Sequence, residues 1–290
     1  MKNFVTRITF VSIAVPLLFA LAIYVPFLNH APIAFLSLFF TIGSSMELRK
    51  MIEPAASKAR TLVAVVFGTL PSVVVYLLRL FSPHSTLAAT WLAPLAVVIM
   101  AAFLVSAIPL ALPARTETIP STIHRASANA LYLMYPGLLS TAIIVILGVP
   151  QGSGYILVWF SLITFGNDSL AWLAGVTLGR RRGIFAVSPN KSLEGLIAGI
   201  AGSVGFSLAG PFLFPTFIPR DWLILTVLGL TCGAAVVVGD LFESAIKRAA
   251  GVKDSGSIVP GRGGILDSFD SLLFAAPVFA GILATAGILS

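Results

Sequence analysis

The sequence predicts an all-α, polytopic integral membrane protein with about nine transmembrane helices. Three observations predict it. Of 290 residues, 58% are hydrophobic and only 10% are charged, against about 25% charged in a soluble domain. The apolar residues fall into runs near the ~20 residues that a helix needs to cross a bilayer. The basic residues also partition by side. With the N-terminus in the cytoplasm, all of the 18 Lys and Arg residues except Arg79 and Arg220 fall on the inner face, as the excess of positive charge in cytoplasmic loops requires. A miscounted span would scramble that partition. The C-terminus is then expected outside.

The first run, 8–28, follows Lys2 and Arg7. It is too long for the apolar region of a signal peptide and no small-residue cleavage site follows it, so it reads as a retained span. Spans 32–52 and 62–81 meet at an inner connection flanked by Arg49, Lys50, Lys58 and Arg60. Spans 87–111 and 122–147 follow, with Arg115 and Arg125 marking the inner side. Gly148, Pro150, Gly152 and Gly154 make a turn-rich step to span 154–178. Spans 194–218 and 221–239 are joined by a tight Pro219-Arg220-Asp221 turn, and the last span is 270–289. Residues 1–150 thus form an N-terminal set of about five spans. Residues 151–290 form a C-terminal region of about four, with long cytoplasmic loops near 179–193 and 240–269. The net charge of +7 is explained by loop topology, so no nucleic-acid partner is inferred. The lone Cys232 allows no intramolecular disulfide and no cysteine-based metal site.

The chemistry gathers near the C-terminus. Asp240, Glu243, Asp254, Asp267 and Asp270 are five of the 11 acidic residues, and Lys247, Arg248, Lys253 and Arg262 lie among them. A lipid-headgroup patch would be one-signed and basic. Mixed signs point instead to a site that holds metal cations and phosphates together. Asp240, Ser244 and Lys247 share one face of a helix leaving the eighth span, and Asp267 and Asp270 share a face at the start of the ninth. Glu243 and Lys247 have the spacing of an intrahelical ion pair. Between the helices, Asp254-Ser255-Gly256 and Pro260-Gly261-Arg262-Gly263-Gly264 offer backbone N–H groups that can approach phosphate oxygens. Carboxylates at a membrane boundary are costly unless paired or metal-bound. Upstream, Asn167-Asp168 puts a carboxylate inside the sixth span. Arg180-Arg181-Arg182 reads as topology and anionic-lipid contact, Ser192 and Glu194 as helix caps, and Lys191 as a phosphate contact.

These residues resemble the phosphatidate cytidylyltransferase (CDP-diacylglycerol synthase) family. Its signature runs Ser, two residues, Lys-Arg, four residues, Lys-Asp-x-Gly, an apolar-Pro step, x-His-Gly-Gly, then Asp-Arg-x-Asp. Ser244, Lys247, Arg248, Lys253, Asp254, Gly256, Pro260, Gly263, Gly264, Asp267 and Asp270 match it with the family's spacing. Asn167-Asp168 and Ser188-Pro189-x-Lys191-x-x-Glu194-Gly195 resemble its second block. Arg262 stands where the family has His, and Ser268 where it has Arg; Asn190 and Leu193 also depart. The resemblance is dense over 160–280 and reduces upstream to Met46-Glu47 on the second span.

The resemblance implies transfer of CMP from CTP to phosphatidic acid, giving CDP-diacylglycerol and pyrophosphate, at the cytoplasmic face of the membrane (the cell inner membrane in a bacterium). It implies Mg²⁺ on Asp240, Asp267 and Asp270, and allows a second, monovalent cation. Asp240, Lys247, Asp267 and Asp270 are the expected catalytic set. Asn167, Asp168, Ser188, Lys191, Ser244, Arg248, Lys253, Asp254, Arg262, Gly263 and Gly264 are the expected substrate contacts. The partners implied are CTP, phosphatidic acid and membrane lipids, and a homodimer is compatible with them. Another CTP-dependent lipid enzyme, such as a polyprenol kinase, would need the same metal and phosphate cradle but would release CDP. A transporter would show inverted repeats or broken helices at the midplane, and neither is evident. An inactive scaffold would have no need of the retained carboxylates.

Overall fold

The computed structural model describes residues 15–81, 93–111, 118–149, 152–259 and 263–287. Lys2, Arg7, Arg115, Pro260, Gly261 and Arg262, with the starts of the first and fourth predicted spans, lie outside them. The helices are α1 (Val15–Tyr24), α2 (Phe27–Ile52), α3 (Lys58–Phe81), α4 (Ala93–Ala111), α5 (Ile119–Tyr132), α6 (Leu139–Leu147), α7 (Ser153–Thr177), α8 (Leu193–Leu213), α9 (Trp222–Ala249) and α10 (Leu266–Thr285). A π-helical turn, Leu133–Leu138, fuses α5 and α6 into one span. No β-strand forms among the described residues; two isolated bridges pair Arg182 with Ser192 and Val259 with Gly263. The protein is thus all-α and membrane-embedded. Seven helices are long and apolar enough to cross a membrane, while α1 and the apolar stretch Ala96–Ser106 of α4 are shorter.

Contacts between helix ends define two ends of the bundle. At one end the beginning of α2 meets the end of α3 and the beginning of α7. Leu28, Asn29 and His30 there adopt left-handed backbone (φ 47°, 53° and 57°), a conformation costing about 1–2 kcal/mol per non-glycine residue. Tertiary bonds hold it: Tyr76 Oη donates to the Leu28 carbonyl (2.8 Å), Asn29 Nδ2 donates to the Arg79 carbonyl (3.4 Å), and His30 Nε2 lies 2.7 Å from Ser153 Oγ. Regular helix follows, so the usable span matches the predicted 32–52. At the other end, Glu53 accepts from Arg60 (2.8 Å) and from Tyr132 Oη (2.8 Å). Burial works to raise its carboxyl pKa, but these bonds and the Arg60 charge prevail and hold it below the ordinary value.

The core runs between α7, α8, α9 and α10. Phe279 packs against Trp159 and Phe160, with ring centroids 5.3 and 5.0 Å apart, and Trp159 Nε1 donates to the Phe206 carbonyl (3.1 Å). Helices approach closely where a side chain is missing. A Cβ on Gly229 would stand 2.5 Å from the Val204 Cα, the small-residue contact that lipid-embedded helices rely on. Large apolar side chains face outward, such as Leu223 at 75% exposure and Phe35 at 65%; a bilayer solvates them where water would not. From Trp222 to Asp240 α9 rises roughly 27 Å at 1.5 Å per residue, close to the ~30 Å hydrocarbon thickness. The helix then continues to Ala249, ten residues past the predicted end of the span, so that Asp240 to Arg248 fall at and beyond that length.

Candidate active site

The site is built where α9 leaves the bundle and α10 enters it. Gly239 permits the crossing, since a Cβ there would lie 2.8 Å from the Asp270 carbonyl. Asp240 is thereby set beside the first turns of α10, and Asp270, only 6% exposed, falls within the electrostatic reach of Asp240 and Asp168. Asp270 Oδ1 accepts from the Ser271 N–H (2.6 Å). Lysines answer the carboxylates. Lys191, from the α7–α8 loop, pairs with Asp240. Lys247 pairs with Glu243 on its own helix and with Asp267 Oδ1 across the crossing (2.5 Å). Ser244 Oγ donates weakly to Asp240 (3.4 Å).

The loop between the helices is shaped by backbone chemistry. α9 ends in a Schellman motif: Gly251 takes a left-handed φ of 69°, its N–H reaches the Arg248 carbonyl (3.1 Å), and the Val252 N–H reaches the Lys247 carbonyl (2.9 Å). Val259 and Gly263 exchange backbone bonds of 2.9 and 3.2 Å, with Gly263 at φ 110°. Asp267 Oδ2 gathers the Gly264 N–H (2.7 Å), the Ser255 N–H (2.9 Å) and the Ser255 hydroxyl (3.0 Å). Both Asp267 oxygens are therefore engaged in this state. Lys253 and Asp254 stand exposed at the tip of the loop.

A residue from the N-terminal half completes the frame. Glu47 of α2, 2% exposed, accepts the Ile265 N–H (3.0 Å), the Leu266 N–H (2.8 Å) and the Ser255 hydroxyl (2.9 Å). It supplies the cap that α10 lacks from its own sequence. A carboxylate there satisfies orphan N–H groups and the positive end of the helix dipole. Gly256 and Gly264 lie so close to this carboxylate that any side chain on either would displace it. The sequence signal was present: an acid within an apolar span is expensive unless it has partners.

The α7–α8 loop supports Lys191. Arg182 donates to the Asn190 carbonyl (2.7 Å) and the Gly175 carbonyl (2.8 Å), so one of the three arginines staples the loop. Glu194 accepts the backbone N–H groups of Arg180 (3.1 Å) and Arg181 (3.2 Å), and Ser192 caps α8. Ser188 shapes the turn, its carbonyl accepting the Lys191 N–H (3.2 Å). Arg248 reaches the Val187 carbonyl (3.4 Å), tying this loop to α9. Asn167 lies deeper, fully buried. Its amide donates to Ser203 Oγ (3.0 Å) and the Gly233 carbonyl (3.4 Å), binding α7 to α8 and α9. Asp168 is half-buried beside it.

Lys191, Asp240, Ser244, Lys247, Asp267 and Asp270 are brought together from one loop and two helices; Asn167 packs between helices, Lys253 and Asp254 stand apart at the loop tip, and Arg262 lies outside the described residues. Among the described residues, no three acidic, His or Cys side chains already stand in cation-binding geometry, and lysines hold Asp240 and Asp267. The donor chemistry fits a hard divalent cation. Only carboxylate oxygens are offered, and Mg²⁺ takes one or two of them plus substrate oxygens. Glu243 Oε1 is also buried without a partner.

The chain belongs to the cytidylyltransferase family, whose model matches residues 5–286. It is similar to the uncharacterized protein YnbB of Escherichia coli (strain K12), 41% identical over 129 residues, covering 44% of this chain and 42% of that one. It is also similar to the phosphatidate cytidylyltransferase of Bacillus subtilis (strain 168), 41% identical over 123 residues (42% and 45% coverage). The phosphatidate cytidylyltransferase of Helicobacter pylori (strain J99 / ATCC 700824) is 36% identical over 151 residues (52% and 54%). The matches span about half the length of these curated relatives.

Proposed function

We propose that this protein is a CTP:phosphatidate cytidylyltransferase, acting at the cytoplasmic face with its N-terminus inside and its C-terminus outside. The observation that carries the reading is the set of lysine–carboxylate pairs, Lys191–Asp240 and Lys247–Glu243/Asp267, standing over a glycine-rich loop in a cytidylyltransferase-family chain. Such pairs suit an exchange in which lysines turn to phosphates and carboxylates to a cation. A phosphate oxygen of phosphatidic acid attacks the α-phosphorus of CTP, and the bond to the β-phosphate breaks to release pyrophosphate. That oxygen is already anionic, so no general base is required; positioning and charge neutralisation do the work. Lys191, Lys247, Arg248, Lys253 and Arg262 are the groups to hold phosphates; the N–H groups of Gly263 and Gly264, taken here by the Val259 carbonyl and by Asp267, would join them once those bonds open. Asp240 and Asp270 would hold Mg²⁺, joined by Asp267 once Lys247 turns away; the ion supplies charge neutralisation when bound. The membrane boundary admits CTP from water and the lipid from the leaflet.

The test is incubation of the purified chain with CTP, Mg²⁺ and phosphatidic acid, with products identified by mass. CDP-diacylglycerol with pyrophosphate is expected. CDP with a newly phosphorylated lipid would identify a kinase, and no nucleotide turnover would overturn the reading.

A further inference from the structure

Tyr135 lies in the π-helical turn between α5 and α6. Pro136 has no N–H to give, and the Leu139 N–H reaches the Met134 carbonyl five residues back. Such turns recur at functional sites. The Tyr135 side chain is 2% exposed, and its hydroxyl has no hydrogen-bond partner, whereas a buried tyrosine hydroxyl usually finds one. The ring sits edge-on to Phe242 (5.0 Å, 87°) and Phe274 (5.6 Å, 64°). Phe242 lies between Asp240 and Glu243 on α9, and Phe274 one turn beyond Asp270 on α10. The phenol thus packs against the two helices that carry the carboxylates, within electrostatic reach of Asp270, Glu243, Asp240 and Asp267.

The lysines that serve these carboxylates here are the groups that phosphates would draw away. Among the described residues no lysine pairs with Asp270, and a phenol can support it without competing with a cation, because it donates a hydrogen bond and carries no charge. Asp270 receives one backbone bond, at Oδ1. We propose that Tyr135 is a positioning residue for the cation site, its hydroxyl donating to the Asp270 carboxylate when a divalent cation is held by Asp240 and Asp270. The proposal rests on the metal reading given above. It also gives the N-terminal half a part in the chemistry beyond the anchor supplied by Glu47.

The test is Tyr135→Phe in the full chain in detergent, with Mn²⁺ alone as the probe and its binding read by electron paramagnetic resonance. Asp270→Asn is the control and should abolish the signal. Tyr135→Phe is expected to lower Mn²⁺ affinity tenfold or more, the range for a lost outer-shell partner. The thermal midpoint without metal should stay level or rise, since an unpaired buried hydroxyl has been removed. Unchanged Mn²⁺ affinity in Tyr135→Phe, or a lower metal-free midpoint, overturns the proposal. Mn²⁺ binding that ignores Asp270→Asn, or that wild type lacks, overturns it together with the metal assignment. Wild type that binds Mn²⁺ yet makes no CDP-lipid sinks the proposed reaction alone and leaves the Tyr135 comparison decisive.

Discussion

Replacing Glu47 by Gln should loosen the loop that leads into α10 without unfolding the protein. The carboxylate accepts the Ile265 N–H at 3.0 Å, the Leu266 N–H at 2.8 Å and the Ser255 hydroxyl at 2.9 Å. An amide of the same shape keeps one acceptor oxygen and turns an NH₂ toward a donor. At least one helix N–H is then left buried without an acceptor. A hydrogen bond to a charged group contributes about 1.5–3 kcal/mol, and a loss of about 2 kcal/mol raises a local opening equilibrium roughly 30-fold. The loop from Asp254 to Leu266 reports this directly. Hydrogen exchange in detergent should quicken there by that factor, while α7 and α8 keep wild-type protection. Turnover of CTP with phosphatidic acid should fall about tenfold or more, because Asp267 and Asp270 ride on the helix that Glu47 caps. Glu47→Asp is one methylene shorter and should fall between. Wild-type exchange and turnover in Glu47→Gln would refute the argument.

Lys191→Ala and Lys253→Ala should each weaken use of CTP by about 2 kcal/mol if each meets a phosphate; unchanged CTP kinetics in both would reduce them to topology charges. Arg262→Ala should lose catalytic efficiency and Arg262→Lys recover it only in part, because a point charge does not replace a bidentate fork; wild-type kinetics in Arg262→Ala would remove that residue from the site. Glu53 has a lowered pKa, so its contribution to stability is complete above its ordinary value of 4.5 and is lost as pH falls through the lowered one. The thermal midpoint of Glu53→Gln in detergent should accordingly fall less on acidification than wild type, and parallel curves would contradict this. A reporter fused after Ser290 should be found outside the cytoplasm, and a cytoplasmic signal would break the nine-span topology.

The lysine–carboxylate pairs explain how so many charges persist at a membrane boundary. Asp240 and Lys191 are each about one third exposed, at 34% and 31% of their side chains, whereas Glu243 and Asp267 are at 1% and 7%. The outer pair can part at little cost, since exposed ion pairs contribute about 0–1 kcal/mol. Separating the inner group leaves buried carboxylates, which is severe unless a replacement arrives. In the reaction proposed above, a phosphate and a cation entering together would offer that replacement to both members of each pair.

Local pattern made the helices legible, because a span need only be apolar over its own length. The carboxylates of α9 and α10 were legible for a related reason: their spacing within single helices fixes their faces, and the Ser192 cap is a short-range feature. What could not be read was anything set by contact between distant segments. Glu47 looked like an outlying match until the fold put it 218 positions from its partner Ile265 in sequence and 3.0 Å away in space. Asn167 was expected from the resemblance as a substrate contact, and the tie its amide makes to Ser203 and Gly233 is visible only in the fold. Tyr135 gave still less, one aromatic residue among apolar ones, with Pro136 as the sole hint that the helix departs from regular pitch. The N-terminal half thus appeared as membrane filler because its contributions are single side chains, each meaningful only through what α10 and the loop before it present to them. A site assembled this way ties the last 100 residues to the packing of the first 140, so substitutions in α2 or in the π-helical turn should act on turnover before they act on stability.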